Sequence, residues 1–311
     1  MPFSDVYRKQ AALVLRVLPE VAREECFALK GGTAINLFVR DMPRLSVDID
    51  LTYLPIHARE ESLAAIDAAM RRIEQRIKKS IPGSRTTIGM LRPEAVVTKL
   101  LVRAEGVQIK IEVTPVLRGS VYPAELRGVS PSVEEAFGFA ETRVVSFPDL
   151  YGGKIVAALD RQHPRDLFDV RHLLQNEGID DSLRRAFIVY LVSHDRPMFE
   201  VLAGSRRDIS RDFDHGFEGM TAESVSVREL RDAQEEMIES VVGRMPEEHR
   251  HFLISFEKGE PDWSLLGLGE AASLPAVKWR EKNLGGLNKT KRAELVSRLE
   301  SVLSRGGGGE K

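Results

Sequence analysis

Lys30-Gly31-Gly32-Thr33-Ala34, followed after a short interval by Arg44-Leu45-Ser46-Val47-Asp48-Ile49-Asp50-Leu51, decides how this chain is read. The run from Cys26 to Lys30 predicts a strand that enters two glycines. Thr33 to Arg40 predicts a helix, and a second strand follows that delivers two carboxylates. Glycines let the backbone approach a polyphosphate closely, and the N–H groups at a helix start attract its oxygens. Asp48 and Asp50 stand at i and i+2 on a strand, so both point to one face. Two hard oxygen ligands beside a phosphate cradle describe a Mg²⁺ site for phosphoryl or nucleotidyl chemistry. The bland alternative is a tight turn followed by a solvated acidic strand end. Either piece alone is a weak signal; their combination on a strand-turn-helix-strand frame favours the site.

Composition sets the outer bounds. The 311 residues allow one large domain or two of ordinary size, and 42% hydrophobic with 30% charged residues suits a chain that buries a sizeable core. No apolar run approaches membrane-spanning length; the longest candidate, Ala186 to Val192, reads as core. The start, Met1-Pro2-Phe3-Ser4-Asp5, lacks the charged and apolar sections of a signal peptide. Cys26 is the single cysteine, which excludes an intramolecular disulfide or a cysteine metal cluster. These features together predict a cytoplasmic protein. The last stretch, 278 to 311, holds nine basic and four acidic residues. Lys289, Lys291, Arg292, Arg298 and Arg305, with Trp279 as a stacking surface, fit either a nucleic-acid backbone or the solvated face of an amphipathic helix.

Around the first motif, apolar spacing predicts a helix over Val6 to Leu18, with Pro19 kinking or restarting it. A second helix is expected over Arg59 to Ile77, with Leu63, Ile66, Met70, Ile73 and Ile77 on one side. Its basic surface (Arg71, Arg72, Arg76, Lys78, Lys79) suits RNA contact or simple solvation. Pro82-Gly83-Ser84 predicts a turn, and Val96 to Ala104 and Val107 to Pro115 predict two strands joined at Glu105-Gly106. In the second of these, Glu112 shares a face with Lys110. Residues 118 to 146 read as a turn-rich connector with a short helix and a strand around Thr142 to Val145. Ser146-Phe147-Pro148-Asp149 announces a helix start, and with it the domain boundary.

A second motif follows: Lys154, Ala157, Asp160, Arg161, Arg165, Asp166 and Asp169. His163-Pro164 should break the helix that carries it. Lys154, Arg161 and Arg165 offer a point charge and two guanidinium forks for a triphosphate. Alternatively, Arg165, Asp166 and Asp169 form a salt-bridge network that fixes two helices. From Val170 the pattern is helical: Val170 to Gln175, Asp181 to Ser193, Val225 to Val242, Glu247 to Glu257 and Asn288 to Ser304. Breaks fall at Asp195-Arg196-Pro197 and Gly216 to Met220, and Asp262 to Pro275 is loop-rich. Gly306 to Gly309 are expected to be a disordered end. No histidine pair has metal-ligand spacing.

Gly-Gly or Gly-Ser followed by Asp-x-Asp resembles the nucleotidyltransferase superfamily that includes DNA polymerase β. The fuller pattern, Gly-Gly-Thr-Ala and Arg-x-Ser-x-Asp-x-Asp-Leu, is similar to the AbiEii/MenT toxins of bacterial toxin-antitoxin systems, and the gap from Gly32 to Asp48 suits that branch. The run Lys-x-x-Ala-x-x-x-Arg-x-x-x-Arg-Asp-x-x-Asp is similar to the family's later motif. By motif the likeness covers roughly residues 25 to 175. It implies an α/β nucleotidyltransferase domain with a mixed sheet over 1–146, then a mainly α-helical domain over 147–311. Asp48 and Asp50 would hold Mg²⁺; Lys30, Gly31, Gly32, Thr33, Ser46 and Arg165 would bind the nucleotide. Ile111-Glu112-Val113 looks like the superfamily's third acidic element, so Glu112 would ligate metal or act as base; an exposed glutamate paired across the sheet is the alternative.

In the later motif of this family a lysine and an aspartate are required for activity, which carries to Lys154 and Asp166, with Asp169 the alternative acid. The resemblance further implies an NTP substrate, transfer to the 3′ end of tRNA that blocks translation, and a cognate antitoxin protein. Ser46 matches a serine that the antitoxin phosphorylates in some members; a local hydrogen bond is its everyday role. Transfer to a protein or small molecule, or a non-catalytic nucleotide-binding module, remain the other readings.

Overall fold

The structure, a computed structural model, describes residues 3–204 and 206–305. The chain folds as two units: Met1–Ser146 with Phe217–Ser224, and Phe147–Gly216 with Val225–Lys311.

The first unit opens with helix α1 (Asp5–Ala22), capped by the Ser4 side chain accepting from the Tyr7 N–H. The helix does not restart at Pro19: one helix runs through it. The proline forgoes one backbone hydrogen bond, and burial of Leu13, Val14, Val17, Leu18 and Val21 holds the helix together across it. Next come β1 (Phe27–Lys30), the short α2 (Gly31–Ala34) that continues as a π-turn over Ile35–Val39, and β2 (Asp48–Tyr53). The helix thus begins at the glycines themselves, two residues before the expected start. Then follow α3 (Arg59–Ser80), β3 (Arg85–Leu91), β4 (Val96–Ala104), β5 (Val107–Val113), β6 (Glu125–Gly128), α4 (Pro131–Phe137) and β7 (Glu141–Val144).

The strands form one mixed sheet in the order β3-β4-β5-β2-β1-β7-β6. β2 lies at its centre, parallel to β5 and antiparallel to β1. The β4–β5 hairpin turns at Glu105 and Gly106, both with positive φ, and Ala104 opposes Val107. Strands β3 and β6 were not legible as such. β3 is mostly polar or half-exposed, and β6 is a four-residue edge; backbone pairing to one neighbour makes them strands, without an apolar pattern to announce it. Ile49, Leu51 and Tyr53 of β2 are buried, while Asp48 and Asp50 on the opposite face are partly exposed.

The segment Phe217–Ser224, expected only as a break, pairs back onto the first unit. Leu45 N–H donates to Met220 O (2.7 Å), Thr221 Oγ1 donates to Pro43 O (3.1 Å), and Ser4 N–H donates to Gly219 O (3.0 Å). It braces the loop that leads into Asp48.

The second unit is helical: α5 (Phe147–Arg161), α6 (Pro164–Asn176), α7 (Asp181–Val192), α8 (Met198–Ala203), α9 (Ser210–Gly216), α10 (Val227–Ile238), α11 (Glu247–Lys258), α12 (Pro275–Gly285) and α13 (Lys289–Arg305). α5 stops at Arg161; Gln162 has positive φ, and His163 caps α6 by accepting from the Arg165 N–H, with Pro164 in the first helical position. The expected corner at His163-Pro164 is therefore present. Among the described residues no helix is long and apolar enough to cross a membrane. The expectation for Gly306 to Gly309 lies outside the described residues.

Candidate active site

Register sets a charged row across the sheet of the first unit. Asp50 opposes Lys30 on β1 and Glu112 on β5, and Glu112 in turn opposes Lys99 on β4. One step along, Asp48 opposes Lys110. Directly opposed residues share a face, so Lys30, Asp50, Glu112 and Lys99 form one row and Asp48 and Lys110 the next. Glu112 is clamped by two ammonium groups, Lys99 Nζ to Oε1 at 2.9 Å and Lys110 Nζ to Oε2 at 2.8 Å. Burial alone would raise the Glu112 pKa, but hydrogen bonds from Lys110 and Lys99 outweigh it and hold the carboxyl below its ordinary range. Lys110 is raised in return: burial opposes its charge, and Glu112, Asp48 and Asp50 restore and exceed it. Lys30 goes the other way, since burial lowers it more than Asp50 and Glu112 raise it. Its Nζ donates to Thr114 Oγ1 at 3.5 Å.

The glycines are dictated by close approach. Gly31 has φ +72°, and a Cβ there would lie 2.9 Å from Asp50 Oδ2. A Cβ on Gly32 would lie 2.7 Å from a guanidinium nitrogen of Arg44 and 3.0 Å from Ser46 Oγ. Arg44 is buried and donates to Leu45 O at 3.0 Å; Asn36 Nδ2 donates to Gly32 O at 3.0 Å. Thr33 Oγ1 lies 3.0 Å from Ser46 Oγ and also bonds Asp48 O. Thr33 and Ser46 are both buried, so their hydroxyls shape the turn under the carboxylates. For Ser46 this is the local hydrogen bond expected of the loop before the strand.

The second unit carries a separate cluster. Lys154 Nζ lies 2.9 Å from Asp166 Oδ1 and 2.9 Å from Asp169 Oδ2, and Arg161 forks onto Asp166 at 2.6 and 2.9 Å. Lys154, Asp166 and Asp169 are buried. Burial pushes the Asp166 pKa up; Lys154 and Arg161 outweigh it and hold the carboxyl well below the usual range. The network anticipated for these helices exists, built on Lys154 and Arg161 in place of Arg165. Arg165 makes no ion pair among the described residues.

Within the first unit the structure therefore brings together Lys30, Gly31, Gly32, Thr33, Ser46, Asp48, Asp50 and Glu112, and within the second Lys154 and Asp166. Sequence reading missed Arg44 as the buried partner of Gly32, and Lys99 and Lys110 as the clamp on Glu112. The hairpin turn at Glu105-Gly106 held the signal for Lys99, because pairing outward from Ala104 and Val107 reaches Lys99 opposite Glu112.

No three His, Cys, Asp or Glu side chains converge as a metal cage among the described residues. Asp48 and Asp50 nevertheless fit Mg²⁺ as a donor set, because that ion is ordinarily held by one or two carboxylates and completes its shell with water and substrate phosphates.

A family model described as nucleotidyl transferase AbiEii toxin, type IV toxin-antitoxin system, matches residues 13–279. The chain belongs to this family of nucleotidyltransferase toxins. Among solved structures it is similar to MenT4, a nucleotidyltransferase toxin from Mycobacterium tuberculosis H37Rv, with a TM-score of 0.53 and 17% identity, covering 95% of this chain and 93% of that one. No curated protein matches the chain significantly. Family membership implies an NTP substrate and an antitoxin partner.

Proposed function

We propose that this chain is a Mg²⁺-dependent nucleotidyltransferase that moves a nucleoside monophosphate from an NTP to the 3′ end of tRNA and so inhibits translation. The observation that carries the reading is the placement of Asp48 and Asp50 on one face of β2, with Glu112 directly opposite Asp50 and Gly31 against the Asp50 carboxylate. In the transfer the 3′ oxygen of the acceptor bonds to the α-phosphorus, and the bond to pyrophosphate breaks. Asp48 and Asp50 would hold the metal, which when bound supplies positive charge to the triphosphate.

The chain's own groups do the positioning. Gly31 and Gly32, lacking side chains, leave the backbone open to phosphate oxygens, and Thr33 and Ser46 keep that turn in shape. Lys30 offers a cation beside Asp50. Glu112, kept ionised at neutral pH by Lys110 and Lys99, accepts a hydrogen bond from the attacking hydroxyl and receives its proton. Arg165, which makes no ion pair among the described residues, offers a fork for a phosphate. Lys154 and Asp166 act within one buried network with Arg161 and Asp169: loss of either leaves its charges unevenly matched, which makes both necessary.

RNA as the acceptor is supported by a groove of about 320 Å³ in the second unit, lined by Lys258, Lys289, Arg292, Ala293, Val296, Ser297 and Glu300. Its cations suit a nucleic-acid backbone. Trp279 is also exposed, with Lys282 Nζ 5.8 Å from the ring centre. Arg298, in contrast, is occupied by Glu294 at 2.6 Å. The test is incubation of the protein with Mg²⁺, total tRNA and each α-labelled NTP in turn, beside the Asp48→Ala variant. Label in RNA that depends on Asp48 is the expected result. Label in protein would move the acceptor, and absence of transfer with every NTP would leave a nucleotide-binding module.

A further inference from the structure

Strands β3, β4 and β5 carry all their charge on one face. They hold four cations, Arg85, Lys99, Arg103 and Lys110, and a single acid, Glu112. Register puts these on the side of Asp48 and Asp50: Arg85 opposes Arg103, Lys99 opposes Glu112, and Lys110 opposes Asp48. The other face of the same strands is covered. Thr86, which points away from Arg85, donates to Glu74 of α3 at 2.8 Å, and Leu100 and Val102 are buried. Arg85 and Arg103 are exposed.

The lysines of this face are committed to Glu112; the arginines have no carboxylate. Arg103 Nε donates to the neutral Gln108 Oε1 at 2.6 Å, and the Arg85 side chain makes no hydrogen bond or ion pair among the described residues. Glu105, the acid nearest Arg103 in the hairpin, pairs with Arg16 instead. Like charges directly opposite on paired strands are destabilising. Arg85 and Arg103 therefore cost the free sheet some stability that a shared anion would restore.

Their place in the sheet says which anion. In the order β3-β4-β5-β2-β1, the glycines that follow β1 lie on one side of Asp48 and Asp50 and the two arginines on the other. Ordinary strand spacings put Arg103 and Arg85 roughly 12 and 16 Å from Asp48. A triphosphate seated at the glycines extends away from them. Phosphoryl transfer needs the attacking and leaving oxygens roughly in line across the phosphorus, so the acceptor enters from the side opposite the pyrophosphate, which is the arginine side. Strands β3, β4 and β5 contain no aromatic residue on which a base could stack, and the fit is to phosphates, independent of base identity.

We propose that Arg85 and Arg103, on the open face of β3 and β4, dock the phosphodiester backbone of the RNA acceptor, a few nucleotides back from the 3′ end delivered to Asp48 and Asp50. The proposal rests on the reading of RNA as the acceptor, and gives that RNA a path across the sheet.

The full chain would be titrated against labelled total tRNA in EDTA over a range of salt, as wild type, as Arg103→Lys, and as Arg85→Gln combined with Arg103→Gln. The double variant should bind roughly tenfold or more weakly, with a dependence of log affinity on log salt shallower by about one to two. Arg103→Lys should keep most of the affinity, because a point charge serves a phosphate. In the transfer assay the double variant should show a raised KM for tRNA and an unchanged KM for NTP, and its Tm should not fall, since a like-charge pair has been removed. Undiminished tRNA binding with the same salt dependence overturns the proposal and leaves RNA as the acceptor. A raised KM for NTP with tRNA binding retained would give the face to the triphosphate and overturn it as well. A wild type that does not bind tRNA and labels protein instead ends the RNA reading, and the proposal with it. Should the double variant fail to fold, hydrogen exchange of the wild type decides: no tRNA-dependent protection over 85–104 overturns the proposal.

Discussion

The two charged clusters of this molecule contain the same kinds of side chain and are built to opposite ends. In the first unit Asp48 and Asp50 are partly exposed on the face of a central strand, beside Lys110 and Lys99, which bond Glu112, and Lys30, which bonds Thr114. In the second unit Lys154, Asp166 and Asp169 are closed in, and direct contacts match their charges. A carboxylate row open to solvent can be reached by a cation or a substrate. A closed and matched one has spent its electrostatics on holding two helices together.

The largest effect should come from breaking the closed cluster. Lys154→Met leaves Asp166 and Asp169 buried with Arg161 as the remaining cation, and should cost about 3–5 kcal/mol of unfolding free energy, measured by urea unfolding. Acid should act on the same cluster. The Asp166 pKa is depressed in the folded state, so its stabilisation is complete above the unfolded-state value of about 3.9 and is lost as pH falls below it. Stability that is flat from neutral pH down to about 5 and then declines is the expected profile; Lys154→Met should flatten the decline. A Lys154→Met protein with native stability and no activity would instead make the lysine a directly catalytic group and erase the contrast.

Asp48→Ala sharpens the contrast from the other side. Loss of one carboxylate from the open face should reduce transfer on the order of a hundredfold or more and leave the melting temperature nearly unchanged, because that side chain is partly exposed. A large fall in stability with little change in rate would exchange the roles of the two clusters.

How much of this could be read in advance follows the same division. The open face was legible because its logic is local: two glycines, then aspartates two apart on a strand, put carboxylates on one side whatever the rest of the fold does. Glu112 was legible by its alternation with Ile111 and Val113, and its lysine clamp only through a hairpin register counted from the turn. What stayed hidden depends on distant chain. Nothing in residues 43–46 announces that Met220 and Thr221 will pair with them, and nothing beside Gly32 announces a buried Arg44. Pro19 does not restart its helix, because tertiary burial carries the helix across a local breaker. The Lys154 cluster was legible as a list of charges, but which cation meets which acid depended on the turn at Gln162 and His163.

A smaller effect is expected at the hinge of the open face. Gly31→Ala would place a methyl group 2.9 Å from Asp50 Oδ2 at φ +72°, a backbone cost of roughly 1–2 kcal/mol. The carboxylate must shift to make room, so metal-dependent transfer should fall alongside stability. If the open face tolerates movement, activity should drop more than the stability loss alone explains; parallel unfolding and rate measurements separate the two.

The smallest effect should come from the clamp on Glu112. Lys110 and Glu112 are each about one-third exposed, at 31% and 33%, so solvent screens their attraction and Lys110→Ala should cost only about 0.5–1 kcal/mol of stability. Its informative consequence is in the pH profile. Lys110 helps hold the Glu112 pKa below its ordinary range; without it the carboxyl moves up toward that range and is protonated at higher pH. The acid limb of the transfer rate should therefore shift to higher pH in Lys110→Ala, with the neutral-pH rate changed little. A limb that stays in place would leave Glu112 as a structural tie between β4 and β5.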